Sequence, residues 1–408
     1  MENSMMSPLD IERMEKQQYR MVGTHSAVKT CGWTKKLLKG EGGCYKLKFY
    51  GIMSHQCMQM TTSISCANRC QFCWRDYKAP VSKDWKWEVN DPKFIFNGSI
   101  KAHNSLIEGF NGNPVVSKAV MEQARKVKHV ALSLTGEPII YPKINELLQI
   151  FNKEGISTFL VTNAQYWEQI RDLNPVTQLY LSIDAPNKHI LKQIDVPLFS
   201  DYWERMLSSL DELKKKKDRT CIRLTIVKGV NDVEPENYAK LIEQGDPDFL
   251  EVKGYMFVGA SMERLKKDNM PWHEEVVDFA KELAKCLDDY EIVSEHVPSR
   301  VVFLAKKKFK IDGMWKTWID FNKWHELINS GIDFTTIDYL RKTPQTGLSG
   351  RKIKDEVEAK KLRAQRTRDN KMLAEEEGIF VNEDEDEIDF WKENVDDGSK
   401  DEDRGGGC

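Results

Sequence analysis

Six of the nine cysteines fall between Cys31 and Cys73, and their spacing is the first chemical fact of the chain. Three lie in the run Ser65-Cys66-Ala67-Asn68-Arg69-Cys70-Gln71-Phe72-Cys73-Trp74, at Cys-x3-Cys-x2-Cys. A four-iron–four-sulfur (4Fe–4S) cluster has four corners and is usually held by four cysteines. Three thiolates leave one iron open, much as a catalytic zinc keeps one position unfilled. An open iron can chelate a substrate through an amino and a carboxylate group. The competing explanation is a structural zinc knuckle or free thiols. The other three, Cys31, Cys44 and Cys57, are spaced Cys-x12-Cys-x12-Cys. That spacing is too wide for one tight loop, so folding must gather them. Unrelated buried thiols, each a small hydrophobe, have no reason to be equally spaced. The pattern predicts a second cluster, again with one open iron. Cys221 and Cys286 read as core residues of a strand and a helix, and Cys408 as an exposed terminal thiol.

The Cys66–Cys73 run is similar to the radical S-adenosylmethionine (SAM) signature, with Phe72 and Trp74 in the aromatic positions beside it. Leu134-Thr135-Gly136-Glu137-Pro138 resembles the loop that such enzymes use for the SAM amino group. An ammonium needs acceptors, and glycine lets backbone approach closely. Asn163, Ser182 and Asp184 end later apolar runs, and Arg223 and Lys253 lie within two more. Each alone reads as a cap or turn residue. Together they outline a pocket for the SAM carboxylate and ribose. Lys46, two residues after Cys44, is either an ordinary surface lysine or an amine able to form a Schiff base with a keto acid.

These residues need a scaffold of strands and helices. Val130–Leu134, Ser157–Thr162, Gln178–Ile183, Cys221–Val227 and Phe249–Val258 read as strands, and a stretch near Tyr50–Met60 as a sixth. Helical patterns run over Val115–Val127, Lys143–Glu154, Tyr202–Lys215, Glu234–Gln244 and His273–Leu287. Strands alternating with helices predict an α/β fold with a parallel sheet. Six units suit a partial (β/α)6 barrel, with chemistry at the C-terminal ends of the strands. Three regions follow: 1–60, an extension carrying the second cysteine set; 61–345, the barrel and edge elements, with extra strands after Val293; and 346–408, a charged tail.

Hydrophobic residues make up 40% of the 408 residues and charged ones 31%, enough for a sizeable core under a charged surface. No apolar run suits a membrane span, and the start Met1-Glu2-Asn3-Ser4 lacks an apolar signal segment. The expected setting is the cytoplasm, where thiols stay reduced and cysteines serve metals or catalysis. Residues 371–408 carry fifteen acids and four bases, a net of −11, so the rest of the chain sums to +8. A basic body suits RNA phosphates as well as it suits a plain charged surface. Residues 351–371, rich in Lys and Arg, read as a charged helix, and the acidic stretch beyond is too poor in apolar residues to fold alone.

Together the motifs resemble the tRNA 4-demethylwyosine synthase family. The likeness rests on both cysteine sets, on Ser54-His55-Gln56-Cys57-Met58, on Gly109-Phe110-Asn111-Gly112-Asn113-Pro114 and on Thr135-Gly136-Glu137-Pro138. It extends to Glu251-Val252-Lys253-Gly254, Pro271-Trp272-His273-Glu274-Glu275-Val276 and Ser294-Glu295-His296. It covers about residues 25–345. It implies a lyase with two 4Fe–4S clusters that uses SAM and pyruvate to convert N1-methylguanosine at position 37 of tRNA into tricyclic 4-demethylwyosine. Cys66, Cys70 and Cys73 would hold the SAM-bound cluster. Cys31, Cys44 and Cys57 would hold the second, where pyruvate binds, and Lys46 falls where the family has its proposed Schiff-base lysine. With only 24 residues ahead of the likeness, the chain reads as the stand-alone archaeal form, a monomer served by an external electron donor. A flipped base could stack on Trp85, Trp87, Trp272, Trp315 or Trp318. The alternatives are a radical SAM activase acting on a protein, and a non-catalytic iron–sulfur RNA-binding protein.

Overall fold

The computed structural model describes residues 4–76 and 78–349. The charged helix expected over 351–371, the acidic tail and Cys408 lie outside the described residues. One ten-stranded sheet organises the rest. Its strands are β1 (Arg20–Val22), β2 (Ser26–Val28), β3 (Cys57–Thr61), β4 (His129–Leu132), β5 (Ser157–Thr162), β6 (Gln178–Ser182), β7 (Arg219–Ile226), β8 (Phe249–Gly254), β9 (Tyr290–His296) and β10 (Val301–Lys306). The order is β1-β2-β3-β4-β5-β6-β7-β8-β10-β9. β3 to β8 are parallel neighbours, the six units expected of a partial barrel. Antiparallel strands extend both sides, β2 on β3 and β10 on β8.

The sixth strand differs from its sequence reading. Tyr45–Tyr50 is a helix, Ser54–Gln56 a 3-10 turn, and the strand begins only at Cys57. The apolar content of Tyr45–Tyr50 serves packing rather than pairing, because all but Lys48 are buried. The longest helix among the described residues, Pro92–Ile107, escaped the periodicity because Asn97, Gly98 and Ser99 interrupt it. Asp91 caps it, accepting from the Lys93 and Phe94 amides, and Pro92 suits its first turn.

Period-two alternation divides the sheet's side chains between two cores. Val130, Leu132, Leu160, Leu179, Leu181, Ile222, Leu224, Leu250 and Val252 pack outward against the crossover helices. Phe159, Val161, Tyr180, Cys221, Phe249 and Phe303 face inward, where Tyr45, Phe49 and Tyr50 of the short helix close the base. Phe49 stacks on Phe303 with ring centres 4.7 Å apart. Cys221 is therefore core, as expected. Cys286 is half-buried at a helix C-terminus, its thiol donating to the Glu282 carbonyl.

Phe303 is fully buried and contacts Phe49, Tyr50 and Phe249. Phe303→Ala is expected to cost about 3–5 kcal/mol in a denaturant titration. A loss below about 1 kcal/mol would mean that the inward core collapses into the space.

Candidate radical SAM site

The Cys66–Cys73 loop follows β3 and is tied down from three sides. Arg69 and Gln71 amides donate to the Asp195 and Ile194 carbonyls, 3.0 and 2.7 Å, at the end of helix Lys188–Asp195. The buried Arg75 guanidinium donates to the carbonyls of Ile64 (2.8 Å), Pro80 (3.3 Å) and Asn68 (3.4 Å). Arg264 reaches in from beyond β8 to the carbonyls of Gln71 and Cys73. Such ties hold a loop in one shape before any ligand arrives.

Burial pushes the Cys66 thiol up to about 11 and the Cys70 thiol up as well, with the neighbouring cysteines adding to the rise at both. Two thiols that are hard to ionise without a positive partner, Cys66 and Cys70, suit an iron cluster that supplies that charge. Among the described residues no three His, Cys, Asp or Glu stand close enough for a single metal ion. A four-iron cluster is a larger body whose thiolates stand further apart.

Gly136 packs against the start of this loop. Its φ is +67°, and a Cβ there would lie 1.9 Å from the Ser63 carbonyl oxygen. The Glu137 amide donates to the Ser65 carbonyl, 2.8 Å. Its Oε2 accepts from the Asn163 amide, 2.8 Å, while Oε1 is buried without a partner among the described residues. Burial raises the Glu137 carboxyl to about 7. The Asn163 side-chain amide donates to Cys66 Sγ, 3.4 Å. Glu137 and Asn163 thus meet beside the first cysteine, and the open carboxylate oxygen fits an ammonium group such as that of SAM.

Ser182 and Arg223 also meet on the inward face, with Arg223 Nη2 donating to Ser182 Oγ at 3.3 Å. Asp184 is used within the protein: its Oδ1 accepts from the Thr225 amide, 2.9 Å, and its carbonyl from Asn231. Burial lifts its carboxyl to about 6. Lys253 is half-buried, its Nζ 5.5 Å from the centre of the Tyr45 ring.

Folding gathers the segments of the second cysteine set around Ser54. The Ser54 hydroxyl donates to Cys44 Sγ, 3.3 Å, and accepts from the Cys44 amide, 3.0 Å. Its carbonyl accepts from Thr34, 2.8 Å, on the helix that Cys31 begins. Cys57 opens β3 three residues later. Lys46 is no surface lysine: it is 2% exposed, its Nζ lies 4.9 Å from the Tyr180 ring centre, and Nζ has no hydrogen-bond partner among the described residues.

Sequence reasoning missed Tyr50, Tyr180 and Glu251, which share this inward face; Tyr50 donates to Glu251 Oε1 at 2.8 Å. The strand alternation that places Arg223 inward could have found Glu251, its register partner on β8. Of the tryptophans, Trp318 is corrected to core: it is 2% exposed and donates to the Lys48 carbonyl. Trp85 donates to the Trp87 carbonyl and packs edge-on to both Trp87 and His25, whereas Trp272 is exposed under Arg300. Two of the family-like segments meet, with His273 Nε2 and Glu295 Oε2 2.9 Å apart. Burial raises the Glu295 carboxyl, but hydrogen bonds from His273 and Ser349 outweigh it and hold it at about 2. A cavity of about 740 Å³ opens beside the cluster loop, lined by Lys29, Ile64, Trp74, Thr135, Gly259 and Met262 among others.

Gly136→Ala combines a strained φ with a backbone collision and is expected to cost about 3 kcal/mol in chemical denaturation. A cost below about 1 kcal/mol would mean that the loop moves aside freely.

The radical SAM superfamily model matches residues 60–242, and a model described as wyosine base formation matches residues 244–306. S-adenosyl-L-methionine-dependent tRNA 4-demethylwyosine synthase TYW1 of Mus musculus is 48% identical over 354 residues, 85% of this chain and 49% of that protein. The synthase of Oryza sativa is 49% identical over 349 residues, 85% of this chain and 53% of that protein. The chain spans about half the length of these relatives. A solved structure of TYW1 with a lysine–pyruvate adduct bound superposes with a TM-score of 0.68 at 37% identity, covering 74% of this chain and 97% of that one. Archaeal TYW1 gives a TM-score of 0.62 at 34% identity, covering 76% and 99%. The stand-alone archaeal reading gains no support, since the eukaryotic relatives are more alike in sequence. The chain belongs to the TYW1 family of radical SAM tRNA 4-demethylwyosine synthases.

Proposed function

We propose that this chain converts N1-methylguanosine at position 37 of tRNA, with pyruvate, into 4-demethylwyosine. The observation that carries the reading is Lys46. An amine sealed from water, set against the Tyr180 ring and left without a hydrogen-bond partner among the described residues, is placed for a covalent partner rather than for solvation. The relative solved with a lysine–pyruvate adduct supports the same assignment.

Reductive cleavage of SAM is the chemistry that the cluster on Cys66, Cys70 and Cys73 supplies when bound. The remaining steps fall to the chain's own residues. Glu137 accepts from the SAM ammonium, and Asn163, Ser182 and Arg223 face its carboxylate and ribose. Asp184 shapes the loop beneath, and Lys253 lies nearer to Tyr45 and the pyruvate end. Lys46 attacks the keto carbon of pyruvate and expels water, holding the two carbons that pyruvate contributes to the product. Cys31, Cys44 and Cys57 would hold the second cluster, which would supply a Lewis acid beside Lys46 for the pyruvate carboxylate. The tRNA anticodon loop and an electron donor are the partners of this reading, and the reducing cytoplasm is its setting. No helix among the described residues is long and apolar enough to cross a membrane.

The test is anaerobic reconstitution with iron and sulfide, then reductant, SAM, pyruvate and methylated tRNA. Tricyclic nucleoside should form only when pyruvate is present. Lys46→Met should lower it to below about 1% of wild type. Cys31→Ala should lose the tricycle while 5′-deoxyadenosine is still made. Deoxyadenosine without tricycle in the unaltered protein would overturn the reading.

A further inference from the structure

Gln59 lies on the inward face of β3, between the two cysteine sets. Cys57 precedes it by two residues on the same face, and the Cys66–Cys73 loop leaves the strand just beyond Thr61. Its side chain is 1% exposed, and neither Oε1 nor Nε2 has a hydrogen-bond partner among the described residues. Two other buried amides each make one bond and leave one end open: Gln178 accepts from Arg219, and Gln165 donates to the Tyr202 carbonyl, whereas Gln59 makes neither bond. A primary amide with donor and acceptor both open, sealed from water, is costly unless a ligand completes it.

The surroundings narrow the ligand. Ala131, the register partner on β4, is small. On the other side Lys29 continues the β2–β3 register, its amide donating to the Gln59 carbonyl at 3.2 Å. The Lys29 ammonium lies in the wall of the 740 Å³ cavity, 4.9 Å from the Tyr19 ring centre and 5.6 Å from that of Trp74. Lys29 therefore joins this cavity, large enough for a nucleotide, to the position of Gln59. A cation and flat rings in the wall of the cavity, with an open amide on the strand that pairs with Lys29, suit a nucleotide's phosphate and base.

We propose that Gln59 reads the target base, pairing side by side with its N2 amino group and N3. Oε1 accepts from the amino group and Nε2 donates to N3, a two-point match that an amide makes with any adjacent donor and acceptor on a purine edge. This leaves the N1-methyl group free to react. The inference rests on the reading given under Proposed function and adds to it how guanine is told from a purine without the amino group.

The experiment compares binding of two tRNAs to reconstituted protein, one with N1-methylguanosine and one with N1-methylinosine at the same position. The unaltered protein should bind the guanosine form about 10- to 100-fold more tightly. Gln59→Leu should lose that preference, with iron content and melting temperature reporting whether it folds. Should Gln59→Leu fail to fold, Gln59→Glu, which keeps the acceptor and removes the donor, should weaken binding of both tRNAs while keeping a preference for guanosine. A preference that survives in Gln59→Leu overturns the proposal. So does unchanged tRNA affinity with a raised pyruvate KM, which would place the amide on the co-substrate, and so does unchanged binding in Gln59→Glu. Tricycle formation by the unaltered protein is scored separately, so failure of the functional reading is distinguishable from failure of this one.

Discussion

The helix Tyr45–Tyr50 seals the base of the sheet's inward face, and the chemistry above it depends on that seal. Phe49 stacks on Phe303, and its carbonyl accepts from Thr317 at 2.7 Å. The Lys48 carbonyl accepts from the Trp318 indole at 2.9 Å. Gly51 ends the helix at φ +79°, where a Cβ would stand 2.9 Å from the Trp318 ring. The chain turns there because only glycine allows both the left-handed backbone and the indole contact. With this end closed, ligands enter from the C-terminal ends of the strands, the side from which the cluster loop emerges.

A sealed face also raises the cost of every polar group placed on it. Much of that cost is met internally: Tyr50 with Glu251, Arg223 with Ser182, Asp184 with Thr225. The polar atoms left over on this face include Lys46 Nζ, Gln59 Oε1 and Nε2, Glu137 Oε1, Tyr180 Oη and Glu251 Oε2. Folded proteins leave few such atoms, so each of these is a place for a ligand to complete the hydrogen bonding. The orphans run from beside Cys66 down to the helix that follows Cys44, the path that the proposed reaction would use.

Much of this was legible in the sequence. The parallel strands β5, β6 and β7 read correctly to within a few residues, because each is a short β-branched or aromatic run bounded by polar residues. The Cys66–Cys73 loop and Gly136-Glu137 were legible because their spacing is local. The strand expected near Tyr50–Met60 is present but begins only at Cys57, because Tyr45–Tyr50 forms a buried helix and Ser54–Gln56 a turn before it. Residue types alone also gave no hint that Asp184 serves its own loop or that Trp318 is core.

The sequence by itself determined the donor types, their local spacing and the alternation that fixes which side chains share a face. Those properties depend on covalent order and on backbone periodicity. Tertiary structure alone decided that Ser54 ties Cys44 to the helix begun by Cys31, that Lys46 is buried against Tyr180, and that Gly136 lies on the backbone of Ser63 and Ile64. Each of those contacts joins segments that only packing brings together. Whether an amine is solvated or sealed, or an amide paired or open, is set by what the rest of the chain places around it.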